Sequence, residues 1–346
     1  MEMPPPPLTW RKLQDLQAEL MADDIEIAPS MCEWTEAEAR AFFESGGQHR
    51  PPWRPSLEAM AWLPYWQQRL HSPALRLVCM HPMGSSANFW YPTSGTHNPI
   101  SSARLNPFLD NHEWLEVLAP ELPGRLTRRD EPHMTDMRTL TDALVELLRP
   151  MVLDGTPYAL AGHSMGSWIA YDLLRNLSER GLPPPAGLFA NCFPAPHLPK
   201  QTHGVGLSAP PSLSADDTLD QDTIKGCLAW GAPAVAFRPD QLRRWWPTHQ
   251  ADGSILASYE FDGDRTSPPP LPCPVWVTRA SEDRGPPPQA VASWAALADG
   301  GCADGFELYE LSGAHHLFLK EDRARVEWMT WALAKLRPLA SRVSSE

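Results

Sequence analysis

The sequence predicts an α/β fold in which helices flank a mostly parallel central sheet, and three observations support this prediction. Apolar runs of strand length alternate along the chain with longer amphipathic runs of helical period, which is typical of a parallel sheet. A Gly-x-Ser-x-Gly segment at 162–166 stands between one such strand and one such helix. The chain has 346 residues, of which 42% are hydrophobic, and this is enough for one large domain with a sizeable core.

Composition narrows the classes of function to be considered. The formal net charge is −13 and no block of Lys or Arg stands out, which argues against binding to nucleic acid or to an anionic membrane surface. No apolar run reaches the length of a membrane-spanning helix, and the N-terminus resembles neither a signal peptide nor a transit peptide. The 6 cysteines form no CxxC pair, so buried reduced thiols are favoured over a disulfide framework. We therefore expect a cytoplasmic protein.

Residues 1–74 are predicted to form an N-terminal helical extension. Apolar residues at helical spacing indicate a first helix over 8–21, and Thr35 with Glu38 forms a capping-box pattern that opens a second helix. A third helix is expected over 57–70. The extension carries no recognisable chemistry, and two roles stay open for it, which are packing on the core and docking a partner.

The main domain is predicted to run over 75–338, with a flexible tail at 339–346. Its expected strands are 74–80, 114–118, 158–161, 186–192, 274–279 and 306–311, and its expected helices are 137–151, 168–177, 290–297 and 323–336. Between about 200 and 261 the alternation stops, and the segment is polar, interrupted by prolines and rich in tryptophan. Its aromatic and leucine content indicates a lid insertion, although a solvent-exposed excursion would show a similar pattern.

The segment at 162–166 matches a nucleophile elbow, in which a serine occupies the apex of a strained turn between strand and helix. Gly162 and Gly166 let the strand and the helix approach closely, because glycine has no Cβ to clash. The helix N-terminus directs N–H groups at the site, so the amide of Met165 is a candidate donor to an oxyanion. The alternative interpretation is an ordinary glycine-rich turn.

Three titratable groups follow predicted strands in the chain order Ser164, Asp283, then His315 or His316, which is the order that α/β-hydrolases use. A serine hydroxyl is a weak nucleophile at neutral pH, so a histidine must accept its proton and a carboxylate must orient the imidazole. We expect Asp283 to be the acid, with the adjacent Glu282 as the alternative. For the base we favour His315 over His316, and the other histidine would pack or contact substrate.

A turn of small residues at 81–89 follows the first strand of the main domain, where this class of fold supplies its second oxyanion donor. The amide of Met83 is the candidate, and a plain loop is the alternative. No cluster of His, Cys and Asp has metal-ligand spacing, and no glycine-rich phosphate loop is present. The reaction is therefore expected to need no cofactor and no metal.

Together these segments resemble a known family. From about residue 75 to residue 336 the chain is similar to the type II, or editing, thioesterases of polyketide and nonribosomal peptide synthesis, and to the medium-chain thioesterase of animal fatty-acid synthesis. The matching segments are Cys79–Ala87, Leu122–Arg125 with Arg129 and Glu131-Pro132, Gly162–Gly166, Pro247–Asp252 with Tyr259, and Gly313–His315 with Asp283. The chain departs from the family pattern at His81, Ser85 and Gln250, in its doubled histidine and in its N-terminal extension.

The resemblance implies hydrolysis of acyl groups from the phosphopantetheine arm of an acyl or peptidyl carrier protein, or from acyl-CoA. Ser164 would attack the thioester, the amides of Met83 and Met165 would hold the oxyanion, and water activated by the histidine would release the acid. We expect a monomer. A local basic patch would dock an acidic carrier protein, and the alternative is that the arginines of the patch are solvated or lie in structural ion pairs. The candidate arginines are Arg125, Arg128 and Arg129, or Arg243 and Arg244.

Three other functions stay open. A carboxylesterase or lipase shares the triad but does not explain the Pro-Gly-Arg segment at 123–125 or Ala251-Asp252. A chain-releasing acyltransferase shares the acyl-enzyme and differs only in the acceptor. A catalytically inactive binding module with this fold is disfavoured by the intact set of serine, aspartate and histidine.

Overall fold

The structure is a computed structural model of the chain. It describes residues 8–341 except 23, 26, 28–30, 32–33, 48–52, 67–72, 91–111, 113, 200–209, 215, 217 and 299–304. Parts of three predicted segments lie outside the described residues, namely 67–70 of the third helix, the first ten positions of the lid insertion, and 342–346 of the tail.

Six parallel strands form one sheet in the described part of the chain. They are β1 (Leu75–Met80), β2 (Leu115–Leu118), β3 (Tyr158–His163), β4 (Leu188–Asn191), β5 (Val275–Ala280) and β6 (Phe306–Leu311). Their spatial order is β2-β1-β3-β4-β5-β6, and each neighbouring pair is parallel. The predicted parallel sheet is confirmed. The carboxyl ends of β3, β5 and β6 therefore open at the same edge, where loops from separate strands can converge.

Nine α-helices accompany the sheet in the described residues. They are α1 (Trp10–Glu19), α2 (Glu36–Glu44), α3 (Leu57–Trp62), α4 (Met137–Val152), α5 (Met165–Glu179), α6 (Gln221–Ala229), α7 (Pro239–Ser258), α8 (Pro288–Ala292) and α9 (Asp322–Ser341). Apolar side chains of α4 and α5 pack on one face of the sheet, and those of α9 pack on the other. In β1, Val78 belongs to the first cluster while Leu77 and Cys79 belong to the second. A strand covered on both faces carries apolar side chains on both, which explains the hydrophobic run Leu77–Met80. Arg76 is the exception in β1, and it is paired with Glu116 and Asp154.

Several helix ends differ from the prediction. The helix α3 ends at Trp62 because Pro64 follows, and proline both lacks an N–H and disfavours helical backbone before it. The helix expected over 290–297 is α-helical only to Ala292 and continues as a 3₁₀ helix. The helix α9 passes through Pro338 and ends at Ser341, past the predicted boundary of a flexible tail. Leu339 and Ala340 are buried there, so apolar packing extends the helix.

The N-terminal extension has a small core of its own. Side chains of α1 and α2 form it, including Leu13, Leu16 and Phe42, each 3% exposed or less. The predicted capping box is present, since the Thr35 hydroxyl accepts from the Glu38 amide and the Glu38 carboxylate accepts from the Thr35 amide. These bonds define the start of α2.

The part of the extension around α3 packs on the main domain. Leu63 lies in the main hydrophobic core, and the Trp53 amide donates a hydrogen bond of 3.1 Å to Asp154. The indole of Trp66 donates a bond of 2.9 Å to Glu116 on β2. Packing on the core is therefore established for this segment.

The insertion after β4 contains α6 and α7. The second half of α7 is buried in the main core through Ile255 and Leu256, while α6 has no buried residue. None of the helices in the described ranges is both long and apolar enough to cross a membrane. The insertion thus combines an exposed helix with one that is anchored in the core.

Candidate active site

Ser164 stands at the tip of a sharp turn between β3 and α5. Its backbone has φ 53° and ψ −126°, a strained conformation for a residue with a side chain. A Cβ on Gly162 would lie 2.2 Å from the carbonyl oxygen of Gly166, and a Cβ on Gly166 would lie 2.2 Å from that of Met80. Both glycines are therefore required by backbone contact, and the turn has the geometry of a nucleophile elbow.

Asn191, at the end of β4, supports this turn from behind. Its carbonyl accepts a bond of 2.8 Å from the Ser164 amide, and its side-chain amide donates one of 2.7 Å to the carbonyl of Gly162. The indole of Trp328 on α9 donates in turn to the Asn191 side chain at 2.9 Å. Sequence reasoning missed Asn191, although a polar residue at the end of an otherwise apolar strand was a signal for it.

His316 and Asp283 form a buried pair. The His316 Nδ1 atom lies 2.8 Å from Oδ2 of Asp283, and the two side chains are 3% and 4% exposed. The other carboxylate oxygen of Asp283 accepts a bond of 2.8 Å from the Gly285 amide, which fixes the orientation of the carboxylate. The neighbouring Glu282 is exposed, so the expected acid, Asp283, is the one that the structure brings to a histidine.

The structure pairs His316, and not the favoured His315, with Asp283. The His315 side chain is 69% exposed and lies 3.3 Å from the carboxylate of Glu321, away from Asp283. A left-handed Gly313, with φ 70°, turns the chain after β6, and of the two consecutive histidines it is the second that points inward. Adjacent side chains in an irregular loop diverge, and the sequence does not reveal which one faces the sheet.

His163, which precedes the serine, ties the elbow to the loop of His316. It is fully buried, and its Nε2 atom lies 2.8 Å from the backbone carbonyl oxygen of His316. Burial holds the pKa of His163 well below its ordinary value, so the ring is neutral. Since a carbonyl only accepts, Nε2 carries the proton and donates. Sequence reasoning gave His163 no role.

A cavity of about 430 Å³ opens above the serine. Ser164 and His316 both line it, together with the loop at 82–85. Its apolar walls include Phe193, Trp230, Trp246, Leu256 and Leu317. The insertion supplies three of these walls, so the cavity is bounded by the segment that was predicted to be a lid. Such a cavity can hold an apolar acyl group beside the serine hydroxyl.

Trp230, which caps the end of α6, covers the histidine. Its ring centroid lies 4.8 Å from that of His316, with ring planes at 82°. A Cβ on Gly285 would lie 2.8 Å from the Trp230 ring, so the indole also lies close over the loop of Asp283. Trp230 therefore limits access of water to the buried histidine–aspartate pair.

Three segments that are far apart in sequence meet at the loop after β1. The Gly84 amide donates a bond of 2.7 Å to Oδ2 of Asp252 on α7. Arg125 binds both carboxylate oxygens of Asp252, at 2.7 and 3.0 Å, and donates a further bond of 2.9 Å to the carbonyl of Ser85. Met83 lies just before these bonds and lines the cavity.

Two of the candidate docking arginines are internal. Arg125 is buried against Asp252, and Arg128 is buried between a bond to Glu131 and the ring of Trp62, which lies 3.9 Å from its guanidinium carbon. These are structural ion pairs, so the patch 125–129 is not an exposed basic surface. The exposed candidates are Arg129, Arg243 and Arg244.

No group of three or more His, Cys, Asp or Glu side chains is arranged to hold a metal ion within the described ranges. The site is instead composed of an elbow serine, a buried histidine–aspartate pair and an apolar cavity. The parallel sheet and this site define a hydrolase of the α/β-hydrolase fold, with its serine on the elbow after β3.

Comparison with known proteins gives the family. The model of the thioesterase domain family matches residues 76–213. A probable cadicidin biosynthesis thioesterase of Streptomyces griseus is 35% identical over 226 residues, which are 63% of this chain and 53% of that protein. The medium-chain S-acyl fatty acid synthase thioesterase of Homo sapiens is 30% identical over 213 residues, which are 61% of this chain and 73% of that protein.

Among solved structures, RedJ, a thioesterase from the prodiginine biosynthetic pathway in Streptomyces coelicolor, superposes with a TM-score of 0.57 at 25% identity. The superposition covers 75% of this chain and 85% of RedJ. The chain spans about half the length of the cadicidin relative and about three quarters of the human one. It belongs to the thioesterase family, and the resemblance predicted from its sequence is confirmed.

Proposed function

We propose that this thioesterase hydrolyses acyl thioesters carried on the phosphopantetheine arm of an acyl or peptidyl carrier protein. One observation carries the proposal, which is that Ser164 and the Asp283-bound His316 line one apolar cavity. Relatives named for cadicidin biosynthesis, gramicidin S biosynthesis and fatty acid synthesis support the class of substrate.

In this proposal Ser164 is the nucleophile and His316 is the base. His316 takes the hydroxyl proton through Nε2 as the serine oxygen attacks the thioester carbonyl, and Asp283 holds the opposite nitrogen and stabilises the imidazolium. The proton then passes to the departing pantetheine thiolate, which leaves an acyl-serine. Water activated by the same imidazole hydrolyses that ester and releases the acid and Ser164.

The amides of Met83 and Met165 are the proposed oxyanion donors. Met165 is the first residue of α5, where a helix leaves its amide without an intrahelical partner. In the loop after β1, the amides of Gly84, Ser85 and Ala87 are already bonded to Asp252, Pro82 and Glu121 respectively. Met83 has no such recorded bond among the described residues and lines the cavity. Each donor is expected to lower the barrier by about 3 kcal/mol.

The insertion is proposed to act as a lid over the acyl pocket. Its helix α6 is exposed and reaches the cavity through Cys227 and Trp230, whereas α7 is anchored in the core. Movement of α6 relative to α7 would admit the acyl chain. The carrier is proposed to dock beside this opening, and the exposed Arg243 and Arg244 of α7 suit an acidic partner.

The proposed setting is the cytoplasm, with the enzyme acting as a monomer. Four described cysteines carry free thiols, namely Cys79, Cys192, Cys227 and Cys273, and unpaired thiols are typical of a reducing compartment. The carboxylesterase and the chain-releasing acyltransferase stay as alternatives, because both would use the same acyl-serine.

The test is steady-state hydrolysis of octanoyl and acetyl thioesters of pantetheine and of a bacterial acyl carrier protein, beside p-nitrophenyl esters of the same chains. Ser164→Ala is the blank, and His315→Ala is the matched control at an exposed position. Carrier thioesters should have the highest kcat/KM, and Ser164→Ala should abolish turnover without unfolding the chain. Dominant turnover of simple esters would instead favour a carboxylesterase, and acyl transfer to an added alcohol would favour the acyltransferase.

A further inference from the structure

A buried ion pair joins the lid insertion to the loop that carries the proposed oxyanion donor. Asp252 is fully buried on α7, and Arg125 is 4% exposed on the side chain. The carboxylate accepts three hydrogen bonds, two from Arg125 and one from the Gly84 amide, and all are 3.0 Å or shorter. Arg125 also donates to the Ser85 carbonyl. Four bonds therefore connect α7, the segment at 123–125 and the loop after β1.

These bonds fix both peptide groups that follow Met83. The Gly84 amide is held by Asp252, while its carbonyl accepts a bond of 3.0 Å from the Trp245 indole on α7. Gly84 itself has φ 69°, and a Cβ there would lie 2.6 Å from the Trp245 indole nitrogen, so this backbone has little room to rotate. The amide of Met83 is therefore the N–H group of this part of the loop that remains available to a group bound in the cavity.

The arrangement has a consequence for catalysis. An oxyanion donor accelerates a reaction because it is oriented before charge develops, so a small rotation of its peptide is costly. Asp252 is buried and Arg125 nearly so, and neither lines the cavity. Any effect of these two residues on the reaction must therefore be transmitted through the loop after β1. A negative carboxylate is needed at this place, because a buried guanidinium requires a partner and the Gly84 amide requires an acceptor.

We propose, on the basis of the proposed function, that Asp252 and Arg125 are positioning residues that hold the Met83 amide in the oxyanion site. The oxyanion site is then complete only when α7 is docked on the loop. This gives the insertion a second role besides covering the acyl pocket.

The test variant is Asp252→Asn. Its carbonyl can still accept from Gly84, but its amide nitrogen faces a guanidinium N–H, so the bidentate bond to Arg125 is lost. The matched control is Asp154→Asn. Asp154 likewise pairs with a buried arginine, Arg76, at 2.7 Å and accepts a bond from the Thr156 amide, yet it does not line the cavity. Both variants remove one carboxylate from a buried arginine.

Two measurements separate positioning from stability. The first is kcat and KM for octanoyl-pantetheine hydrolysis, well below the unfolding temperature of each variant. The second is the inhibition constant of an octyl trifluoromethyl ketone, which forms a tetrahedral adduct on the serine and needs the oxyanion site. Asp252→Asn should lower kcat by about tenfold to a hundredfold with KM nearly unchanged, and should weaken the ketone by a similar factor. Asp154→Asn should lower the unfolding temperature and leave both constants at wild-type values.

Equal kcat values for Asp252→Asn and wild type would overturn the positioning role, and so would an equal loss in both Asn variants. If Asp252→Asn does not fold, Arg125→Lys takes its place, because lysine keeps the charge and one bond while losing the fork. Failure of the proposed function has a different signature. In that case wild type itself would show no thioester turnover above Ser164→Ala, whether or not the ketone binds.

Discussion

The imidazole of His163 donates a hydrogen bond of 2.8 Å to the backbone carbonyl of His316. The residue before the elbow serine thus holds the loop that carries the proposed base. Its Nδ1 atom is buried without a recorded hydrogen-bond partner, which is tolerable for a neutral ring whose proton is on Nε2. The distance between Ser164 and His316 therefore depends on this buried hydrogen bond as well as on the sheet.

This contact predicts the effect of His163→Phe. Phenylalanine keeps an aromatic ring beside Phe89 and Phe318 but leaves the His316 carbonyl buried without its donor. We expect a loss of about 1–3 kcal/mol in the free energy of unfolding, measured in urea. The kcat for thioester hydrolysis should fall as well, because the base is no longer held. Full activity with reduced stability would mean that other contacts position His316.

The two consecutive histidines give a direct comparison. His316→Ala should lower kcat by about 10⁴-fold or more, because the proton of Ser164 loses its acceptor. His315→Ala should leave kcat within about twofold of wild type, since the side chain is 69% exposed and pairs with Glu321 at the surface. Both are measured on the same acyl-pantetheine thioester, and the reverse order of effects would return the role to His315.

Glu121 predicts a pH dependence of stability. It is fully buried below the loop after β1, where it accepts a bond of 3.2 Å from the Ala87 amide, and burial raises its pKa to about 7 despite the nearby Arg125 and Arg128. Because this pKa lies above its value in the unfolded chain, the stabilising contribution is present below about pH 4.5 and is lost as the pH rises through about 7.

Glu121→Gln keeps an acceptor and carries no charge. Relative to wild type, its free energy of unfolding should therefore rise between pH 4.5 and pH 8, by about 3 kcal/mol at most. Urea titrations across this range measure the difference. Glu58→Gln, at an exposed position of α3, controls for the removal of a negative charge. A difference that is flat with pH would show that Glu121 does not titrate in this range.

Two glycines predict opposite effects of the same substitution. Gly166→Ala places a methyl group 2.2 Å from the carbonyl oxygen of Met80, and we expect a loss of about 3 kcal/mol in unfolding free energy. Gly226→Ala, inside the exposed helix α6, meets no atom within 4 Å and should stabilise by about 0.5–1 kcal/mol. Thermal unfolding of the two variants tests this, and equal shifts would contradict the close packing of the elbow.

Much of the fold was predictable because its signals are local. Buried strands such as β3 and β4 appear as apolar runs, and the start of α2 is given by Thr35 and Glu38 within four positions. The ends of helices were less predictable. The helix α9 continues past Pro338 because its last apolar residues find a buried surface, and that surface belongs to other parts of the chain.

The serine on the elbow and the aspartate that meets a histidine were predictable from the order of residues after strands, and the family followed from motifs spread along the chain. The choice between His315 and His316 was not predictable, because it depends on which of two adjacent side chains a loop turns inward. Nor could the sequence reveal that Arg125 and Asp252, separated by 127 positions, meet at Gly84. Such contacts form only when α7 packs against the sheet. The packed interior has low polarity, so a buried charge such as Asp252 or Arg125 must there have a partner of opposite charge.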